Sequence, residues 1–352
     1  MQPATTIKKK STLHMPAPVK VDVRHSPSRS RTWFGLFIVG LVAMGTVTSF
    51  LPRPSPAFSP STAQPQLMLI NGVAQLDGQR LIAVGELGHL FSSKSPGQPW
   101  REAAVSPQRG SSLTQVFFAS QTLGLAVGHD GWILRSEDAG QSWQEVNFDA
   151  DTGDALMSVW GRAQGPLFAT GSFGRFLVSS DQGKTWQQFD TGLGDRHLYG
   201  IAGDGGQRLM VVGETGLVAR SADGGKSWER LPDFYNGSFF GLIALSASDW
   251  LVYGMRGKAF RTQDFGATWH EVDADTALSL YGGTRTQDGR VVLVGEGGVV
   301  TESRDAGRTF KRLNDGGGSS LSSVAELADG RLIFTGQAGI SLAGAPAEPQ
   351  TH

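Results

Sequence analysis

Apolar residues are distributed along the 352-residue chain in two different ways. Between Thr32 and Pro52 no side chain is charged, and Trp33–Leu51 is apolar almost throughout. At helical rise that length approaches the roughly 20 residues needed to cross a ~30 Å hydrocarbon core. No polar face interrupts the stretch, and Gly35, Gly40 and Gly45 would weaken a soluble helix, so it predicts a membrane span rather than a core helix. Beyond Pro65 the pattern changes. Apolar runs become short and are punctuated by Gly, Ser and Asp, which predicts many short strands joined by tight turns.

The short runs repeat. A pair of glycines with two residues between them recurs as Gly85/Gly88, Gly128/Gly131, Gly171/Gly174, Gly213/Gly216, Gly254/Gly257, Gly295/Gly298 and Gly336/Gly339. Successive first glycines are separated by 43, 43, 42, 41, 41 and 41 residues. In the second unit, strands are predicted over Leu113–Ala119, Leu123–Val127, Trp132–Arg135 and Trp143–Val146. Four short strands in a period of this length predict an all-β fold, a seven-bladed β-propeller. The first unit is degenerate, keeping Trp100 but lacking an aspartate turn, and the seventh (Ser319–Gly344) has three strands. A propeller hides its edges by closing the ring, and residues near Phe58–Ala63 are the candidate fourth strand of blade seven.

Before the fourth strand five units carry one turn. It is centred on Asp138, Asp181, Asp223, Asp264 and Asp305, each two residues after Ser or Thr and two before Gly, with Trp or Phe three residues after that Gly. This is the Asp-box pattern of BNR repeats. Its Asp and Ser/Thr oxygens can accept backbone N–H groups within the turn, so the carboxylates read as structural. One per blade spaces them around a ring and never pairs them for catalysis or for a metal.

Composition agrees: 48 Gly and 19 Phe with 9 Trp suit turns and pleated surfaces. The net charge of −1 hides an asymmetry, since residues 1–32 carry seven Lys/Arg against Asp22 alone. The positive-inside rule then puts the N-terminus in the cytoplasm and the propeller in the periplasm or a lumen, on a single inner-membrane pass. Cleavage of the segment as a signal peptide is the alternative. The remainder is mildly acidic, which argues against nucleic acid as a partner. Cysteine is absent, excluding disulfides and thiolate chemistry. The predicted organisation is a basic tail (1–32), a signal-anchor helix (33–51), a Pro/Ser-rich linker (52–65), the propeller (66–345) and a C-terminal tail (346–352).

In such blades the glycine-pair turns and the loops entering each blade share one face. That face collects Glu86, His129, Asp130, Phe173, Glu214, Arg256 and Glu296 from the turns, and Arg196, His197, Tyr199, Tyr235, Phe239 and Tyr281 from the loops, with Arg109 and Phe240 beside them. Aromatic, Arg and acidic residues on a variable face of a constant scaffold suit a protein partner. Arg135, Arg220 and Arg261 precede the box Ser/Thr and read as a basic stripe or as structural ion pairs. No established catalytic or metal motif is present, and no cofactor is expected.

The run Ala126–Trp143, echoed at Val211–Trp228, resembles the photosystem II stability/assembly-factor family of seven-bladed propellers over about residues 66–343. The resemblance implies a non-catalytic lumenal or periplasmic factor that holds a membrane protein. In a non-photosynthetic bacterium an RND-type transporter is the corresponding partner. The alternative is a sialidase-like glycoside hydrolase or carbohydrate-binding propeller, which shares Asp-boxes, although the Arg-Ile-Pro motif of sialidases is missing.

Overall fold

The structure is a computed structural model that describes residues 29–50, 63–314 and 316–343, with side chains in the N-terminal helix described for residues 33–44. The chain divides into two units, Met1–Ser61 and Thr62–His352. In the first, the uncharged stretch forms helix α1 (Arg29–Phe50), and its described side chains from Trp33 to Met44 are exposed. Among the described residues no helix is long and apolar enough to cross a membrane.

The second unit is the seven-bladed propeller. Five blades are four-stranded antiparallel sheets in simple meander order. Blade two gains a fifth strand, Ala104–Ser106, which runs parallel to its outer strand Ser142–Asn147. Blade seven has three strands, Leu321–Glu326, Leu332–Gly336 and Gly339–Leu342. The predicted completing strand at Phe58–Ala63 lies outside the described residues but for Ala63, which packs against the core cluster of Ile70, Ala83 and Phe91.

The second strand of each blade is sandwiched between neighbouring sheets, so its residues read as continuous apolar runs instead of alternating. Leu209–Gly213 and Val291–Gly295 are buried along their whole length. Each fully buried Val or Leu contributes roughly 1.5–3 kcal/mol. Between blades one and seven, Val73 and Leu81 meet Leu327 and Ile333, closing the ring through side chains.

The first glycine of each pair is explained by contact, not by a left-handed backbone. Gly128, Gly171, Gly213 and Gly254 are extended, and a Cβ on any of them would sit 2.1–2.2 Å from a carbonyl oxygen just before that blade's inner strand. The next residue donates its N–H to that same carbonyl: His129 to Ser112, Ser172 to Ala155, Glu214 to His197 and Met255 to Ser238. The same bond joins Glu86 to Leu69, Glu296 to Ser279 and Gln337 to Ser320.

On the opposite face, arginines clasp each blade to its neighbour. Arg80 donates to the Ala139 carbonyl, Arg135 to Gln182, Arg162 to Gly205, Arg220 to Phe265, Arg285 to Leu245 and Arg290 to Gly330. Arg135 and Arg220 also pair with Glu137 and Glu229, and Arg261 pairs with Asp249. Of the two readings of these three arginines, the structural one holds.

The five aspartate turns share one hydrogen-bond pattern. In the second blade the Ser136 hydroxyl donates to Asp138 Oδ1 and accepts the Gly140 N–H. The Ser142 N–H and hydroxyl donate to the two Asp138 oxygens, at 3.0 and 2.6 Å. The Thr268 hydroxyl and amide, with Thr262, hold the Asp264 carboxyl down at about 2. At Asp305 burial pushes the other way, yet the Thr309 amide and the Ser303 and Thr309 hydroxyls still bring it to about 2.

Two predictions follow from these contacts. Gly213→Ala should cost about 3 kcal/mol, because a methyl cannot share space with the His197 carbonyl. Gly318→Ala, which points into open space, should stay within about 0.5 kcal/mol in urea unfolding. The lowered Asp264 and Asp305 carboxyls contribute stability above the unfolded carboxylate pKa, near 4, and lose it as pH falls toward about 2. Thermal melts between pH 6 and 2 should therefore show a shallower acid decline in the Asp264→Asn/Asp305→Asn variant than in the parent.

Candidate functional site at the channel mouth

Every inner strand breaks register after its first residue, for example between Leu198 and Gly200 and between Phe239 and Gly241. The first residue goes into the core and the second turns to the central channel. Around the ring those second residues are Asn71, Thr114, Met157, Tyr199, Phe240, Tyr281 and Ser322, and all seven line a cavity of about 280 Å³.

This one register position carries two kinds of chemistry. In blades one and two it is polar and binds the next blade: Asn71 Nδ2 donates to the Leu113 carbonyl and the Thr114 hydroxyl to the Leu156 carbonyl, at 2.8 and 2.7 Å. In blades four to six it is aromatic. Tyr199 meets Phe240 edge-on at 5.4 Å between ring centres, and Phe240 meets Tyr281 at 5.5 Å. Beneath them the Tyr253 ring fills the space where Gly241 and Gly283 have no side chain. The arc extends through His197, 6.1 Å from Tyr199, to Phe173, whose ring packs edge-on to His197 at 4.8 Å. Such edge-to-face pairs contribute about 0.5–1.5 kcal/mol each beyond buried area.

The tips of the glycine-pair turns surround the arc. Leu87, Asp130, Phe173, Thr215 and Arg256 all sit in the left-handed region, with φ of 53–57°. That conformation costs a non-glycine residue roughly 1–2 kcal/mol; the sixth tip is Gly297, and Ala338, in the seventh turn, is not left-handed. Leu87 and Phe173 are nonetheless large, apolar and 60% and 65% exposed.

Several residues assigned to this face from sequence have other duties. Phe239 is fully buried among Phe234, Tyr235 and Phe260, because it is the first, core-directed residue of its strand. Glu86, Glu214 and Glu296 are at the face, but their carboxylates accept the backbone N–H of Leu69, His197 and Ser279. Gln337 does the same for Ser320. The Tyr235 ring also packs on Phe260, its hydroxyl donates to the Met255 carbonyl, and Arg256 lies 5.6 Å over it. Arg196 reaches the Thr215 carbonyl and Asp233, and Arg109 forks onto Glu145. Asp130 accepts from the Ser111 hydroxyl, and His129 is exposed. Burial raises the Tyr199 and Tyr281 hydroxyls, reinforced by the negative charges of Glu214 and Glu296. Leu87, Asn71 and Thr114 escape a reading confined to charged and aromatic residues. Their signal is positional, one register repeated seven times.

The family model of photosynthesis system II assembly factor YCF48 matches residues 136–320. The chain belongs to this family. No curated protein matches it by sequence. Among solved structures, YCF48 bound to a D1 peptide superposes with a TM-score of 0.63 at 20% identity, over 83% of this chain and 98% of that one. YCF48 from Cyanidioschyzon merolae gives 0.63 at 15%, over 80% and 96%. The GH74 xyloglucanase from Xanthomonas campestris gives 0.64 at 14%, over 82% of this chain but 54% of its own. At such identities these likenesses describe the fold. They include enzymes as well as the YCF48 propellers.

For this YCF48-family chain, the role of the turn carboxylates can be tested directly. Glu214→Ala should cost about 1 kcal/mol in denaturant unfolding by orphaning the His197 N–H. Glu214→Gln should be close to neutral, because Gln337 already makes the equivalent bond.

Proposed function

We propose that this chain is a non-catalytic scaffold that holds a segment of an integral membrane protein on its channel-mouth face while a membrane complex is assembled or operates. The observation that carries the reading is the aromatic arc from Phe173 to Tyr281, ringed by strained, side-chain-bearing tips. Rigid aromatic rings are what a protein partner uses as anchors. Retaining bulk at strained backbone positions points to a use for those side chains. That the related YCF48 propeller was solved with a D1 peptide supports a membrane-protein segment as the ligand class. Photosystem II is then the partner in a photosynthetic cell, and an RND-type exporter the corresponding one elsewhere.

The same proposal includes a membrane tether. The uncharged Trp33–Leu51 stretch behind seven basic residues suits a single inner-membrane pass, with the propeller on the periplasmic or lumenal side. A glycoside hydrolase with a tyrosine nucleophile is less well supported. The Tyr199 and Tyr281 hydroxyls are raised, which opposes a phenolate, and Arg109, Arg196 and Arg256 each have their own partners.

The test is purification of the tagged full-length protein from native membranes in mild detergent, with co-purifying proteins identified by mass spectrometry. One membrane complex should be recovered in stoichiometric amount, and its recovery should fall at least tenfold, about 1.4 kcal/mol, in Tyr199→Ser/Tyr281→Ser. Arg135→Ala, on the opposite face, should leave it unchanged. Recovery of the protein alone, or equal loss from both variants, would contradict the reading.

A further inference from the structure

His197 lies between two turns of the channel-mouth face. Its backbone N–H donates to Glu214 Oε2 and its carbonyl accepts the Glu214 N–H, which ties it to the blade-four turn. Its ring faces the blade-three turn instead, where Nδ1 accepts the Phe173 N–H at 3.0 Å. Phe173 is held there in the left-handed region, with its ring edge-on to the imidazole. An acceptor at Nδ1 requires the neutral imidazole, with its proton on Nε2. Once protonated, both ring nitrogens are donors, so Nδ1–H and the Phe173 N–H would oppose each other.

We propose that His197 is a proton-operated latch: neutral, it holds the Phe173 tip against the aromatic arc, and protonated, it releases that tip. An imidazole is the side chain whose charge ordinarily changes between about pH 5 and 8. The charged and titratable groups around it are Glu214 and Tyr199 of blade four, with Asp195 and Arg196 beside it in the chain. Arg196 is engaged with Asp233, while Arg175, just beyond the blade-three turn, points away to Asp149 and Asp154. None of them supplies a second acceptor to the Phe173 N–H, whose bond is to the imidazole. Acid therefore removes one end of the arc without unfolding the blade, because the Gly174 N–H still donates to the Arg196 carbonyl. Weaker partner capture in acid would follow, and that consequence rests on the function proposed above. The latch itself does not.

The experiment is a pH titration of the full-length, deuterated and 15N-labelled protein in detergent micelles, following the Phe173 amide and the His197 ring signals together, with no partner present. The Phe173 amide should shift with the midpoint of the His197 ring. In His197→Asn, where the amide oxygen can replace Nδ1 as acceptor without titrating, the Phe173 signal should hold steady over the same range. A Phe173 amide that ignores the His197 titration would overturn the latch. So would an equal shift in His197→Asn, or a ring that stays neutral throughout. Co-purification of the membrane partner at a single pH is a separate readout, so failure of the latch and failure of the scaffold reading are distinguishable.

Discussion

The fold depends on one backbone contact made seven times. In each blade, the residue after the second strand donates its N–H to a carbonyl at the entrance of the inner strand, across a glycine that has no Cβ to obstruct it. This bond sets where the inner strand begins, and the register break immediately after it decides which residue goes into the core and which into the channel. The core then receives Ile70, Leu113, Leu156, Leu198, Phe239 and Leu280, with Leu321 half-buried against it, and the channel receives their successors. Without the close approach, the ring of second residues would not exist as a ring.

Given that constraint, blades can be joined at the channel in two ways. Polar residues in blades one and two reach across to the next blade's backbone, and Gln115 and Ser158 extend the pattern by accepting the N–H groups of Val159 and Ile201. In blades four to six aromatic rings touch one another instead. The polar half satisfies its own hydrogen bonds internally. The aromatic half leaves ring faces and edges at the mouth, with Tyr281 38% exposed, and is the half equipped to receive a partner. The asymmetry therefore divides a pseudo-symmetric ring into a closed side and an open side. Arginine clasps on the far face leave those side chains committed to holding blades together.

Much of the fold was readable from the chain because a period of 41–43 residues fixes blade number, and the aspartate turns fix where the outer strand starts in five blades. The three-stranded blade seven was visible in its missing turn, whereas the fifth strand of blade two was not, since Ala104–Ser106 has no turn signal of its own and forms only by pairing with Ser142–Gln144. The site was readable as a face but not residue by residue. Tyr199 and Phe239 look alike in sequence, both aromatic at the start of an inner strand. One residue of register puts one at the mouth and buries the other. Likewise Glu86, Glu214 and Glu296 look like free charges, and only three-dimensional proximity reveals the backbone N–H each accepts.

The most direct test of the account is site-specific photo-crosslinking in native membranes, with the reactive side chain placed in turn at positions 240, 281 and 226. Positions 240 and 281 lie on the aromatic arc, and position 226 lies in an aspartate turn on the opposite face. The account predicts that 240 and 281 crosslink to the same membrane protein and that 226 does not. Crosslinking from 226 alone, or to unrelated proteins from all three, would contradict it.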